Sequence, residues 1–571
     1  MLSIRKLFNQ LHIALAALAL TGCATVGSDP LAPTRPVDLQ ILAINDFHGN
    51  LEVPSGTTTY FAKGKAQTAQ LGGAGRLAAT LDQLRQGAPN SITVAAGDLI
   101  GASPLISAHF LDEPTIVALG EMGLSLTAVG NHEFDNGTAE LLRLQQGGCE
   151  VHTARTPCQL EEGFKGADFT FLAANVIGKD GTTLLPGTAI RQFGEARVGF
   201  IGMTLKETAT ITSPAGTAGY RFADEADTAN ALADELKAKG ADTVVLLLHQ
   251  GGRVAPYLNQ DACPGLEGDI MPILERLTPA IKLVVSGHTH SAYICETSAS
   301  DGSMRLLTSA GRYGIFVTAI EMSIDPKSDR ILSMKAVNQP VVEAAGEHAK
   351  VAELIARYSD ASAQVAARPV GWIAGPLKPV EGALDTPLAR LVADAQLAAT
   401  QGAEHGGAQI AFINSGGVRA AFRPAEDGTV TYGQIFALQP FGNSLQVLEL
   451  TGAQLHALLE QQFAEGETGE LQQSVLIPSQ GFTYSFDASA PSGKRITEMR
   501  LNGKPIEREN NYRITTNNFL ASGGDGFSVF SQARFVADGG IDLDALETFI
   551  AEGVTVSQSS RIIRVGDRRP D

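Results

Sequence analysis

Five stretches of the chain set metal-binding side chains beside small residues: Asn45-Asp46-Phe47-His48, Gly97-Asp98, Gly130-Asn131-His132-Glu133-Phe134-Asp135, His249-Gln250-Gly251-Gly252 and Ser286-Gly287-His288-Thr289-His290. Carboxylates, an amide oxygen and imidazoles mixed in this way suit borderline divalent ions. Imidazole favours zinc and similar ions, and the oxygens also accept manganese or magnesium. The glycines let the backbone turn sharply and bring these groups close. A lone Asp-x-His or Gly-Asp says little, but Gly-Asn-His-Glu followed by Asp, and Gly-His-x-His, are much rarer.

Each stretch follows a short apolar run: Leu39–Ile44, Ile92–Ala96, Leu126–Val129, Val244–Leu248 and Ile281–Val285, with Val198–Ile201 a further run of the same kind. Helix-like segments alternate with them, at Gly75–Arg85, Pro114–Met122, Ala226–Lys239 and Ile270–Leu277. Buried strands alternating with helices predict an α/β layered domain. In such sheets ligands gather outside the carboxyl ends of strands, so the strand ends converge on one place.

At 571 residues the chain is too long for one ordinary core. A second region begins near Trp372, with helices at Pro387–Ala399 and Gly452–Phe463 and strands at Gln409–Ile413, Ser444–Leu450 and Tyr512–Thr516. Asn502-Gly503 marks a hairpin turn there. The stretch Glu347–Ala367 is helical and connects the two regions.

The order Asp-x-His, Gly-Asp, Gly-Asn-His-Glu, His, Gly-His-x-His resembles the calcineurin-like metallophosphoesterases, and the second region narrows the resemblance to the two-domain 5′-nucleotidase family. The resemblance implies an N-terminal four-layer αββα domain and a C-terminal α/β domain joined by a helical connector. The expected segments are 1–22 as signal, 23–36 as tether, 37–345 as the first domain, 346–371 as linker and 372–566 as the nucleotide-binding domain. It assigns one divalent ion (zinc, manganese, cobalt or magnesium) to Asp46, His48 and His290, a second to Asn131, His249 and His288, and makes Asp98 the bridge. Some family members carry Gln or Asn where His290 stands. His132, next to a ligand, is assigned to the transition state or the leaving oxygen, with Asp135 orienting its ring and holding it cationic.

The second region should choose the substrate. Arg419 follows the Gly-rich turn Asn414-Ser415-Gly416-Gly417, a sensible way to present a guanidinium to phosphate, and Arg390 is a second candidate. Pro440-Phe441-Gly442-Asn443 and Asn518-Phe519 through Gly523-Gly524-Asp525 resemble the family's nucleoside-holding motifs. Phe441 and Phe519 would sandwich a base, worth about 1–3 kcal/mol per stacked base. Asn443 would hydrogen-bond the base, and Asp525 the ribose hydroxyls.

Composition limits the partners. A formal net charge of −18 argues against binding nucleic-acid polymers, which takes a basic face, while a locally positive site can still accept a nucleotide. The basic Arg5-Lys6, the apolar Ile13–Leu20 and the closing Leu20-Thr21-Gly22-Cys23 resemble a bacterial lipobox. That implies export, lipid on Cys23 as the membrane attachment and, with Ala24 following, an outer-membrane lipoprotein facing the periplasm or cell surface. Four cysteines remain, an even number suited to disulfides in an oxidising compartment. Cys149 and Cys158 share one loop and are paired here, and Cys263 with Cys295, among three possible connectivities. The same two-domain plan serves 2′,3′-cyclic-nucleotide phosphodiesterases. A sulfur-oxidation hydrolase fits less well, because the paired Phe motifs point to a base. A non-catalytic nucleotide-binding surface protein would usually have lost ligands that are all present here.

Overall fold

The computed structural model describes residues 35–565 apart from 55, 154, 213–215, 379–382 and 464–474. The signal segment, Cys23 and nearly all of the tether lie outside the described residues. Two six-stranded sheets form the first domain. One runs, edge to edge, Arg330–Pro340, Phe316–Asp325, Val37–Ile44, Ser91–Ala96, Leu124–Ala128 and Thr170–Leu172. The other runs Ala292–Ser298, Met304–Ala310, Ile281–Ser286, Thr243–His249, Ala196–Thr204 and Thr188–Phe193. Within each sheet the ligand-bearing strands are parallel to one another, so their carboxyl ends share a side.

Strand alternation explains the layers. Ile41 and Ala43 face inward, where they meet Leu126, Phe200, Val245, Leu247 and Val285 in the core between the sheets. Leu42 and Ile44 point the other way, into a helical layer with Leu77, Leu81 and Leu119. On the far sheet Leu246 and Leu248 pack outward on Ala229, Ala233 and Ile273. Because both faces of both sheets are covered, the strands read as nearly continuous apolar runs. The result is the four-layer αββα arrangement that the family resemblance implied.

The connector is the helix Ala349–Ala367, whose buried Val351, Leu354, Tyr358 and Ser362 recur on one face. Tyr358 meets Phe110 edge to face at 4.8 Å, so the helix packs into the first domain's outer layer. Beyond it stand a five-stranded sheet, ordered Leu476–Pro478, Ile410–Asn414, Asn511–Asn517, Ser444–Thr451 and Arg534–Ile541, and a smaller four-stranded one. Asn502 and Gly503 turn the expected hairpin with φ of 50° and 76°. From Pro36 onward the two domains form one compact unit. No helix among the described residues is long and apolar enough to cross a membrane.

Both disulfides pair as read from the sequence, Cys149 with Cys158 and Cys263 with Cys295, at sequence separations of 9 and 32. Loop-closure entropy makes the longer loop the larger contributor, at about 4 kcal/mol against about 3 kcal/mol. Serine at both positions of the Cys263–Cys295 pair should therefore lower the denaturant midpoint more than serine at Cys149 and Cys158. Equal or reversed losses would mean that local packing, not chain entropy, sets their contribution.

Candidate metal centre and substrate cleft

The strand ends deliver their side chains to one buried place. Asp46, His48 and His290 form one group, Asp98, His249 and His288 another, and His48, Asp98 and His132 a third; within each, the possible ligand atoms lie within 4.8 Å of one another. Asn131 Oδ1 is 3.2 Å from His249 Nε2 and 3.1 Å from His288 Nδ1. Asp98 Oδ2 lies 3.0 Å from His249 Nε2 and 3.6 Å from His48 Nε2, between the two sides. All seven sequence-predicted ligands are thus brought together.

The backbone is strained to do this. Asp46, His48, Asp98, His288 and His290 all have positive φ, between 46° and 71°. Such a conformation in a non-glycine residue costs of order 1 kcal/mol or more, and persists where the surroundings impose it. Gly130 cannot be replaced, since a Cβ there would sit 2.2 Å from Asp98 Oδ1.

Hydrogen bonding shows which atoms the cluster leaves available. His48 Nδ1 donates to Gly101 O at 2.9 Å, and His249 Nδ1 to Ala96 O at 2.7 Å. A neutral imidazole has one N–H, so each Nε2 presents a lone pair. His48 Nε2 then faces His290 Nε2 at 3.2 Å, and His249 Nε2 faces two oxygens. Lone pairs so arranged repel unless a cation lies among them, and these donors fit a divalent metal. The electrostatics agree. Burial pushes the Asp46 carboxyl up to about 7, with Asp98 adding to it. Burial holds His288 down near 3 and keeps His48 and His290 well below the usual imidazole range. Of His48, His249, His288 and His290, only His249 rises, to about 9, because the Asp98 carboxylate outweighs burial. Asp98 thus favours positive charge beside it, which a divalent cation would supply.

His132 stands beside this cluster, its ring 5.0 Å from that of His48. Its Nδ1 lies 2.8 Å from Asp135 Oδ2, and its backbone N–H donates to Asp98 Oδ1 at 2.9 Å. Burial works against its charged form, but Asp135 and Asp98 outweigh burial and raise its pKa. With Nδ1 committed to Asp135, Nε2 is the nitrogen left for a substrate.

Glu133 does something the sequence did not reveal. Its carboxylate accepts the backbone N–H groups of Asp98 at 3.0 Å and Leu99 at 2.8 Å, and that of Gly130 as well. One side chain thereby ties the Asp98 loop to the Asn131 loop. Asn45 plays a matching part, donating to Asp46 Oδ2 at 2.6 Å and to Gly311 O at 2.7 Å.

A cleft of about 290 Å³ opens over the cluster, lined by Asp98, Asn131, His132, Asp135, His288 and His290 from the first domain and by Arg419, Phe441, Asn443, Phe519 and Asp525 from the second. The second-domain residues sit on the segments that follow Ile410–Asn414 and Asn511–Asn517, Phe519 in the short helix Asn518–Ala521, and just before Ser444–Thr451. Phe441 stacks on His132, centroids 6.0 Å apart and planes 20° from parallel. Arg419 lies over the Tyr313 ring at 5.8 Å, and its buried Nη2 has no hydrogen-bond partner among the described residues. Asn414 donates to Asp525 Oδ2 at 2.7 Å, and Asn443 to Asp542 Oδ2 at 3.2 Å. Ile211, Thr212, Asn414 and Asn517 also line the cleft without having been singled out as site residues. The Asn that opens the Gly-rich turn was the available signal for Asn414.

Arg390 is not part of this cleft, which corrects its reading as a substrate ligand. It is 1% exposed, pairs with Asp385 Oδ2 at 3.1 Å and donates to Asp385 O and Ser557 O, both at 2.9 Å. Its guanidinium fastens the start of the helix Pro387–Thr400 to the chain near Ser557.

Comparison with known proteins agrees with this architecture. The family model for calcineurin-like phosphoesterase matches residues 39–292, and that for the 5′-nucleotidase C-terminal domain matches residues 371–532. The cell wall protein Lmo0130 of Listeria monocytogenes is 31% identical over 588 residues, spanning 96% of this chain and 71% of that protein. The chain belongs to the 5′-nucleotidase family. A solved 5′-nucleotidase precursor from Thermus thermophilus superposes with a TM-score of 0.73 at 26% identity, over 93% of this chain and all of that one. Endonuclease YhcR of Bacillus subtilis is 30% identical over 86% of this chain, which spans only 38% of that longer relative. Family membership implies divalent metal cofactors and a nucleotide substrate.

Glu133→Gln would set an amide N–H₂ against backbone donors that now meet a carboxylate. Loss of such support typically costs a metal site about 10–100-fold in affinity. Competition against a fluorescent chelator should show that loss, and unchanged affinity would mean the two loops hold themselves.

Proposed function

We propose that the protein is a metal-dependent 5′-nucleotidase that removes phosphate from nucleotides, with nucleoside di- and triphosphates or UDP-sugars as further substrates. The observation that carries this reading is the single cleft joining a lone-pair-rich cluster, an arginine with an unpaired donor and two phenylalanines. In this reading Asp46, His48 and His290 would hold one ion and Asn131, His249 and His288 the other, with Asp98 serving both sites. Two bound ions would supply charge neutralisation and a nucleophile at neutral pH; zinc, manganese, cobalt and magnesium all suit the donor set.

The chain's own groups do the rest. Arg419 binds the phosphate through the guanidinium edge that no protein group satisfies. His132 Nε2 donates to the developing charge or to the leaving oxygen, while Asp135 at Nδ1 fixes the ring and favours its protonated form. Phe441 and Phe519 take the base between them, Asn443 bonds its edge, and Asp525 bonds the ribose hydroxyls. Because Phe441 stacks on His132, the residue that grips the base also limits where the imidazole can lie. The domains proposed for these tasks are 37–345 and 372–566. Export with a lipid on Cys23 at the outer membrane fits the lipobox-like leader and two disulfides, which persist in oxidising compartments.

The test is hydrolysis by the soluble chain, stripped with chelator and resupplied with each of the four metals, on AMP, ATP, UDP-glucose, 2′,3′-cyclic AMP, 3′-AMP and an aryl phosphate. Metal-dependent phosphate release from AMP is expected, with kcat reduced about 10²–10⁴-fold in His132→Ala. Turnover confined to the cyclic and 3′ substrates would transfer the enzyme to the phosphodiesterase branch. Tight AMP binding without turnover under any metal would overturn the enzymatic reading.

A further inference from the structure

Asn443 is held at two points by a single residue, Asp542. The backbone N–H of Asp542 donates to Asn443 O at 2.9 Å, and Asn443 Nδ2 donates to Asp542 Oδ2 at 3.2 Å. The register makes this possible: Ser444 pairs with Ile541, so the helix Asp542–Ala551 begins directly opposite Asn443. Asp542 is 1% exposed, and its other carboxylate oxygen accepts the Leu543 N–H at 2.7 Å. No cation pairs with it among the described residues. A buried carboxylate held only by neutral donors is costly, and stabilising a helix start does not require one whose second oxygen turns toward a cleft residue.

We propose that Asp542 is a positioning residue for base recognition: it keeps the Asn443 amide with its nitrogen inward and leaves Oδ1 free as the acceptor offered to the nucleobase. This rests on the reading of the cleft as a nucleotide site. An ionised carboxylate accepts hydrogen bonds and donates none, so it can hold only the N–H₂ side of an amide. The free Asn443 oxygen then favours base edges that present an N–H donor. An amide at position 542 could hold either side of Asn443, and the orientation would no longer be fixed.

The test uses the full metal-loaded chain at pH 8.5, above the value of about 7 to which burial pushes Asp542. Steady-state kinetics on AMP and on p-nitrophenyl phosphate are compared for the unsubstituted enzyme, Asp542→Asn, Asn443→Ala and the double variant, with Tm measured for each. Asp542→Asn should raise the KM for AMP about 5- to 10-fold, the worth of one hydrogen bond, with kcat and aryl phosphate kinetics within about twofold of the parent. In the Asn443→Ala background it should have no further effect. Equal losses on both substrates with a lower Tm would make Asp542 a structural helix-end group and overturn the proposal. So would an unchanged KM for AMP, or additive effects in the double variant. Failure of the unsubstituted enzyme to turn over AMP while it cleaves the aryl ester would overturn the nucleotide reading, and this inference with it.

Discussion

Lone pairs that face one another in a dry interior repel, and the first domain is organised around a set that does so. Asp46, His48 and His249 have no exposed surface and Asp98 has 1%, yet the acceptor atoms of these residues converge. Gathering such groups costs several kcal/mol in unfavourable burial, plus the strain of five left-handed residues. The two sheets offset that cost: Leu39, Ile41, Val94, Phe200, Val245, Leu247 and Val285 fill the interior behind the strand ends. Hydrogen bonds then remove the remaining freedom. Glu133 binds two ligand loops together through their backbones, and Ala96 and Gly101 carbonyls fix the imidazole tautomers. A bound cation would turn the repulsion into attraction, so the same geometry that destabilises the bare cluster makes it selective for positive charge.

The cleft is lined from both domains. The cluster and His132 belong to the first, and the residues proposed to grip phosphate, sugar and base belong to the second. Contact between them is built from the inside. Leu105 and Ala108 of the first domain join the core of the second, and Arg155 lies over the Phe436 ring at 5.5 Å. Arg155 rides on the loop closed by Cys149–Cys158, and it also donates to Ala108 O at 3.0 Å. The relative placement of His132 and Phe441 thus depends on groups well outside the cleft, including a disulfide and a connector helix packed on Phe110.

Local features of the sequence carried much of this. Strand ends followed by Gly and Asp, Asn or His are legible because the signal is short-range: an apolar run, a turn and a ligand. The layered fold follows from the same runs. What the sequence could not show is partnership across the chain. Glu133 lies among the motif residues, but only the fold brings it under Asp98 and Leu99, 34 or more residues earlier. Asp542 sits 99 residues from Asn443. Ile211 and Thr212 follow no motif at all and reach the cleft from the end of the short helix Thr208–Ile211.

Arg390 and Arg419 make the same point with one residue type. Both stand near Gly- or Pro-marked turns, and both looked suited to phosphate. In the fold Asp385 pairs with Arg390 at 3.1 Å and two carbonyls occupy its terminal nitrogens, so only its buried Nε is left, away from the cleft. Arg419 has no carboxylate partner among the described residues, keeps a buried nitrogen unbonded, and presses its charge on His48 and His290. A buried donor without an acceptor costs about 1–3 kcal/mol, which an incoming phosphate oxygen would return as binding energy. The local balance at the cleft therefore runs opposite to the chain's net charge of −18, and an acidic protein can present an anion-binding site.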